Sequence, residues 1–155
     1  VNELFADVDV IAGVATGGIP QGVLVAQDLG KPFVYVRPSE KAHGLQNKIE
    51  GDIKEGQTVV VIEDLVSTGK SSLQAVEALR ANGCQVKGMA AIFTYNLDVA
   101  KKAFENAGVN LSTITDYHTL IDLAAEENFI RAEDLDSLSE WRKNPEEWSE
   151  KRMNG

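Results

Sequence analysis

The chain has very little sulfur. Cys84 is its one cysteine among 155 residues, which excludes an internal disulfide framework and a cysteine-rich zinc site. Basic residues are also short, 15 against 24 acidic ones, so a net charge of -9 opposes binding to nucleic acid or to an anionic membrane. No apolar run approaches the roughly 20 residues of a membrane-spanning helix. No basic stretch with an apolar follow-on opens the chain as a secretion signal would, so a cytoplasmic location is expected. An initiating Met is missing as well: the sequence starts at Val1, close to the first predicted strand, and reads as part of a longer protein. With 43% hydrophobic and 25% charged residues, the composition is that of an ordinary globular domain, not a collagen-like, disordered or coiled-coil chain. The length fits one domain with an appendage.

Apolar β-branched runs alternate with helical patterns. Residues 8–14, 33–36, 58–62, 86–93 and 109–114 read as strands. Helices are expected from Pro20 to Leu29, from Ser71 or Ser72 to Asn82, over 98–107 and over 118–127, with Asp116 or Thr119 as a cap for the last. About five such alternations predict an α/β fold, a doubly wound parallel sheet flanked by helices. The expected division is a core over 1–130, with a lid loop over 37–56, and a helical extension over 131–155 anchored by Trp141 and Trp148. Cys84 and His118 read as structural residues. In such a sheet, ligands sit beyond the carboxyl ends of the strands, which singles out the loops after Val14, Val36 and Ile62.

The loop over 63–72 is the most informative. Glu63 and Asp64 end an apolar strand, and Ser67, Thr68, Gly69, Lys70, Ser71 and Ser72 lead into a helix. Hydroxyls and backbone N–H groups at a helix N-terminus make an anion cradle. Two carboxylates beside it suit vicinal hydroxyls or a cation, so a ribose 5-phosphate meets both demands. A Walker A loop is a poor fit, because Asp64 stands where that motif needs glycine. The turn at Thr16 and Gly17 lacks the GxGxxG spacing of a dinucleotide site. Ser and Thr are also ordinary turn formers.

Residues 59–71, from Val59 through Glu63, Asp64, Leu65, Val66, Ser67, Thr68, Gly69 and Lys70 to Ser71, resemble the phosphoribosyl-pyrophosphate motif of type I phosphoribosyltransferases. Arg37, Lys41, His43 and Gly44, followed by Glu50 and Gly51, narrow the resemblance to the orotate phosphoribosyltransferase family and its catalytic lid. Thr16 and Gly17 resemble that family's pyrophosphate-binding first loop, whose small residues permit close backbone approach. The resemblance implies transfer of a 5-phosphoribosyl group from phosphoribosyl pyrophosphate to orotate, giving orotidine 5-phosphate in UMP biosynthesis. It further implies Mg2+, a homodimer whose lids act across subunits, Ser67 as an orotate contact, and an upstream hood that these residues lack. No specific metal ligand is assigned. Three positions depart from the family pattern: Pro38 where a second basic residue is common, Ala42 where Asp is usual, and Lys70 where a small residue is usual. Tyr95 stands where other members have Arg. Two alternatives are a non-catalytic regulator that senses phosphoribosyl pyrophosphate and a purine phosphoribosyltransferase. The negative charge disfavours the first and the lid residues disfavour the second.

Overall fold

The computed structural model describes residues 1–5, 7–37 and 48–153. Its centre is β4 (Thr58–Val66), where Val59, Val60 and Val61 are wholly buried. Strands β1 (Val10–Val14) and β5 (Gln85–Thr94) flank it in parallel, with Val61 opposite Ala12 on one side and Met89 on the other. Outside them lie β2 (Phe33–Val36) and β6 (Leu111–Asp116), also parallel, while the short β3 (Ile49–Glu50) closes the β2 edge antiparallel. The six-stranded order is β3-β2-β1-β4-β5-β6. The order reverses between β1 and β4, and the crevice above that point is where such sheets bind ligands.

Alternation along the strands sends side chains into two cores. Val59 and Val61 join Val10, Val34, Met89 and Leu79 beneath α3 (Lys70–Ala81) and α4 (Asp98–Ala107). Val60 and Ile62 pack with Ile11 and Ala26 beneath α2 (Gly18–Leu29), joined by Phe5 of the short α1 (Asn2–Phe5). A strand covered on both faces has no polar side, which is why β4 begins as an unbroken apolar run. Helices end where the sequence indicates: Gly30 and Gly108 close α2 and α4 in the left-handed region. The Arg80 guanidinium donates to Ala107 O at 2.7 Å and to Gly108 O at 3.3 Å, tying α3 to the carboxyl end of α4. Asp116 caps α5 (Tyr117–Glu126) by accepting from Thr119 N at 3.0 Å, and this bond holds its carboxyl below the usual range. Cys84 is buried, as expected of a structural residue, and burial pushes its thiol up.

Two differences from expectation bear on the site. β4 continues past residue 62 to Val66, because β5 keeps pairing with it: Leu65 lies opposite Phe93 and Val66 opposite Thr94. The acid pair therefore lies inside the strand and not at its tip. Within the segment expected as a lid, residues 48–56 include the edge strand β3, with Ile49 and Ile53 against the core. Pro38, Lys41, Ala42, His43 and Gly44 lie outside the described residues.

After α5, a 3-10 turn (Ala132–Asp134) leads to α6 (Leu135–Lys143) and α7 (Pro145–Met153). The Trp141 ring is 5.4 Å from that of Tyr95 and 5.4 Å from that of Tyr117. Tyr117 OH donates to Leu138 O at 3.2 Å, and Arg142 Nη1 donates to Asn96 O at 2.9 Å. Tyr95 follows β5 and Tyr117 follows β6, so α6 is docked at the carboxyl ends of those strands. Trp148 anchors α7 to α6 instead. Its Nε1 donates to Ser137 Oγ at 3.2 Å, and the Arg152 guanidinium lies 4.6 Å above its ring.

Because Trp141 joins the two tyrosines and is only half-buried, Trp141→Ala is expected to cost about 2 kcal/mol, less than the ~3–5 kcal/mol of a fully buried aromatic. Limited trypsin digestion should then cut at Arg142 and Lys143 faster than in the unsubstituted protein. Unchanged digestion would show that the ring cluster does not hold α6.

Candidate active site

Two turns and one strand end meet above the reversal point. The first turn, Ala15 to Gly17, leaves β1 with a cis Ala15–Thr16 peptide, and Ala15 N donates to Val36 O at 2.8 Å. A Cβ on Gly17 would overlap the Asp64 carboxylate, so only glycine lets this turn lie directly against that group. Thr16 is exposed at its crest.

The second turn, Ser67 to Gly69, joins β4 to α3. Gly69 has φ 82°, and its Cβ position is filled by the Phe104 ring, 2.8 Å away. No side chain caps α3, although Ser67, Thr68 and Ser71 are all nearby and exposed. The first N–H groups of a helix have no intrahelical acceptor, and together with the helix dipole they favour an anion. Lys70, exposed at the first helical position, adds positive charge to the same end. Leu65 is 40% exposed, whereas Val66 is buried and its carbonyl accepts from Tyr95 N at 3.1 Å and Thr94 Oγ1 at 3.3 Å.

The two acids of the pair have different surroundings. Side chains alternate along a strand, so consecutive residues point to opposite faces. Glu63, 4% exposed, turns under α3, where Ser72 Oγ donates to its Oε2 at 2.9 Å and Asp64 N donates to its Oε1 at 3.1 Å. Asp64 turns toward Gly17, and its Oδ1 accepts from Leu65 N at 2.7 Å. Burial pushes the Glu63 carboxyl up to about 7, and the neighbouring Asp64 carboxyl adds to that, while the Ser72 hydrogen bond opposes it. The sequence reading placed both carboxylates on ribose hydroxyls. In the structure both Glu63 oxygens accept bonds from within the protein, and Asp64 lies at the turn.

Arg37, at the exit of β2, donates from Nη1 to Glu50 Oε1 at 3.4 Å, and its backbone N donates to Lys48 O at 2.8 Å. These bonds fix the base of the segment that carries Lys41 and His43. Those two candidates lie outside the described residues. Among the described residues, no three His, Cys, Asp or Glu side chains are grouped to hold a metal ion.

Residues 1–126 match the phosphoribosyl transferase domain family. The orotate phosphoribosyltransferase of Phocaeicola vulgatus is 57% identical over 148 residues, which are 96% of this chain and 70% of that protein. The chain belongs to the orotate phosphoribosyltransferase family. Among solved structures, the orotate phosphoribosyltransferase of Aeropyrum pernix matches with a TM-score of 0.69 and 35% identity, over 76% of this chain and 65% of that one. The Mycobacterium tuberculosis orotate phosphoribosyltransferase, crystallised in complex with 5-phospho-α-D-ribosyl 1-diphosphate, matches with a TM-score of 0.62 and 30% identity, over 76% of this chain and 69% of that one. The chain thus spans about two thirds of the length of these family members.

The structure brings Thr16, Gly17, Asp64, Ser67, Thr68, Gly69, Lys70 and Ser71 to one end of the sheet. Sequence reasoning missed Ser72 as the partner of Glu63. Nine residues separate them, and only the turn of α3 back over β4 reveals the pair.

The buried Glu63 carboxyl makes stability depend on pH. Between its ordinary value near 4.5 and about 7, the folded protein holds a proton that the unfolded chain has lost. Stability from this group is complete below that window and falls as pH rises through it. Urea denaturation from about pH 5 to 8 should therefore show a decline that Glu63→Gln, neutral throughout, lacks. Parallel pH profiles for the two proteins would contradict the assignment.

Proposed function

We propose that this chain transfers the 5-phosphoribosyl group of phosphoribosyl pyrophosphate to N1 of orotate, releasing pyrophosphate and giving orotidine 5-phosphate for pyrimidine nucleotide synthesis. The observation that carries this reading is an uncapped α3 N-terminus following a strand whose outer carboxylate, Asp64, faces the glycine turn at Gly17. The 5-phosphate is placed on the N–H groups and hydroxyls from Ser67 to Ser71, with Lys70 beside them. Asp64 takes the ribose hydroxyls. Thr16 and Gly17 present backbone to the pyrophosphate, and Arg37, Lys41 and His43 meet it from the lid.

The bond from C1 of the ribose to the diphosphate oxygen breaks with its electron pair on oxygen. The bond from C1 to N1 of orotate forms, and the N1 proton passes to the released diphosphate or to water. Negative charge grows on the leaving group and positive charge on the sugar, so fixed cations on one side and the Asp64 carboxylate on the other lower the barrier. The residues present fit a magnesium ion that travels on the substrate's diphosphate, since Mg2+ is characteristically held by phosphates and waters. When bound there, it neutralises the departing charge.

A homodimer with lids shared across subunits completes the reading, in the cytoplasm. No helix among the described residues is long and apolar enough to cross a membrane.

The direct test is loss of orotate absorbance on adding phosphoribosyl pyrophosphate and magnesium, with adenine, hypoxanthine and uracil in parallel. Turnover specific for orotate is expected; turnover of a purine instead would replace the assignment. Asp64→Asn should lower kcat/KM by roughly 10²-fold or more, the scale of losing a preorganised charge at the reacting centre. Mixing inactive Lys41→Ala chains with inactive Asp64→Asn chains should restore part of the activity. If mixing restores none, the sites are not shared.

A further inference from the structure

The first turn of α3 is used on two sides. Lys70 and Ser71 are exposed beside the phosphate turn, whereas Ser72 is only 1% exposed. Its Oγ donates to Glu63 Oε2 at 2.9 Å, and Asp64 N donates to Oε1 of the same carboxyl at 3.1 Å. The Asp64 bond lies within β4 and orients the carboxyl. The Ser72 bond crosses from β4 to α3, and among the described residues no other side-chain hydrogen bond joins those two elements. No side chain caps α3, and the chain enters it through Gly69 at φ 82°. Glycine restrains a turn less than any other residue, so the link beneath this one decides where the helix begins.

The ligand makes that position matter. A ribose 5-phosphate is one small molecule with its phosphate at one end and its vicinal hydroxyls at the other. With the phosphate on the α3 N-terminus and the hydroxyls on Asp64, both ends are held only when the helix start and Asp64 keep the spacing of the sugar. Small misplacements of groups that grip one ligand together carry large losses. The Glu63 carboxyl meets both parts, the Asp64 backbone on one oxygen and the first turn of α3 on the other.

Removing the Ser72 hydroxyl takes the donor from Glu63 Oε2, on a residue that is 4% exposed. A buried acceptor without a partner is costly, so the carboxyl must turn or water must enter beneath the helix. Either response shifts the start of α3 relative to Asp64.

We propose that Ser72 is a positioning residue for the ribose 5-phosphate half of the substrate: acting through Glu63, it sets the spacing between the phosphate turn and Asp64. The proposal rests on the placement of phosphate and ribose in the preceding subsection, and it adds a residue that touches neither.

The test is calorimetry with ribose 5-phosphate, which spans both positions, and with inorganic phosphate, which occupies one. Ser72→Ala should weaken ribose 5-phosphate about tenfold, the scale of one lost hydrogen bond, and inorganic phosphate by less than about twofold. In steady-state kinetics the KM for phosphoribosyl pyrophosphate should rise about tenfold, while kcat and the KM for orotate stay within about twofold. A residue that only stabilised the fold would change the amount of active protein and neither dissociation constant. Glu63→Ala should also weaken ribose 5-phosphate, and adding Ser72→Ala to it should change binding no further, because the two residues act as one unit. Equal weakening of both ligands, no weakening of either, or additive losses in the double variant would overturn the proposal. So would a lack of ribose 5-phosphate binding by the unsubstituted protein. The dissociation constants are read without orotate, so failure to turn over orotate would remove the orotate reading alone.

Discussion

A carboxyl group buried under the first turn of a helix must be satisfied from within the protein, and this requirement organises the site. Glu63 meets it with Ser72 Oγ and Asp64 N, one donor on each oxygen. The Ser72 bond joins the end of the central strand to the start of α3. With those points joined, the intervening chain must turn sharply, which it does through Gly69 at positive φ. The turn leaves the helix N-terminus pointing out of the sheet beside Asp64. An unsatisfied polar group at this depth would cost about 1–3 kcal/mol. Geometry at the surface is thus set by hydrogen bonding beneath it.

Much of this arrangement was legible in the sequence, for identifiable reasons. A central parallel strand is apolar on both faces, so residues 59–62 stood out. Gly30 and Gly108 marked helix ends. The limits have equally specific causes. Apolar runs do not show where pairing ends, so the extension of β4 to Val66 became visible only through its ladder with β5. The different partners of Glu63 and Asp64, Ser72 for the one and the Gly17 turn for the other, show only once the helix and the first turn are placed around the strand. β3 is two residues long and polar in part, below what periodicity can register. Trp141 was read as an anchor; its partners Tyr95 and Tyr117 come from two other strand ends, a convergence that no local pattern encodes.

Charge distribution separates the whole from the site. The surface as a whole repels anions, yet Lys70 and Arg37 stand at the carboxyl end of the sheet. A polyanionic substrate is then drawn to one end of a molecule that otherwise repels it, and nonspecific capture of other anions elsewhere is suppressed. Screening by salt weakens both effects over distances beyond about 10 Å at 0.1 M.

The feet of the segment between β2 and β3 are joined twice, by the backbone bond from Arg37 N to Lys48 O and by the pairing of Arg37 with Glu50. Such a junction bears the entropy of closing a loop when the domain folds, not when a ligand arrives. That entropy grows only with the logarithm of loop length, about 0.6 kcal/mol for each doubling. Insertions and deletions between the feet are therefore cheap for the fold, and the length of chain joining them can change with little penalty in stability. The sheet edge keeps the two feet in place whatever chain joins them.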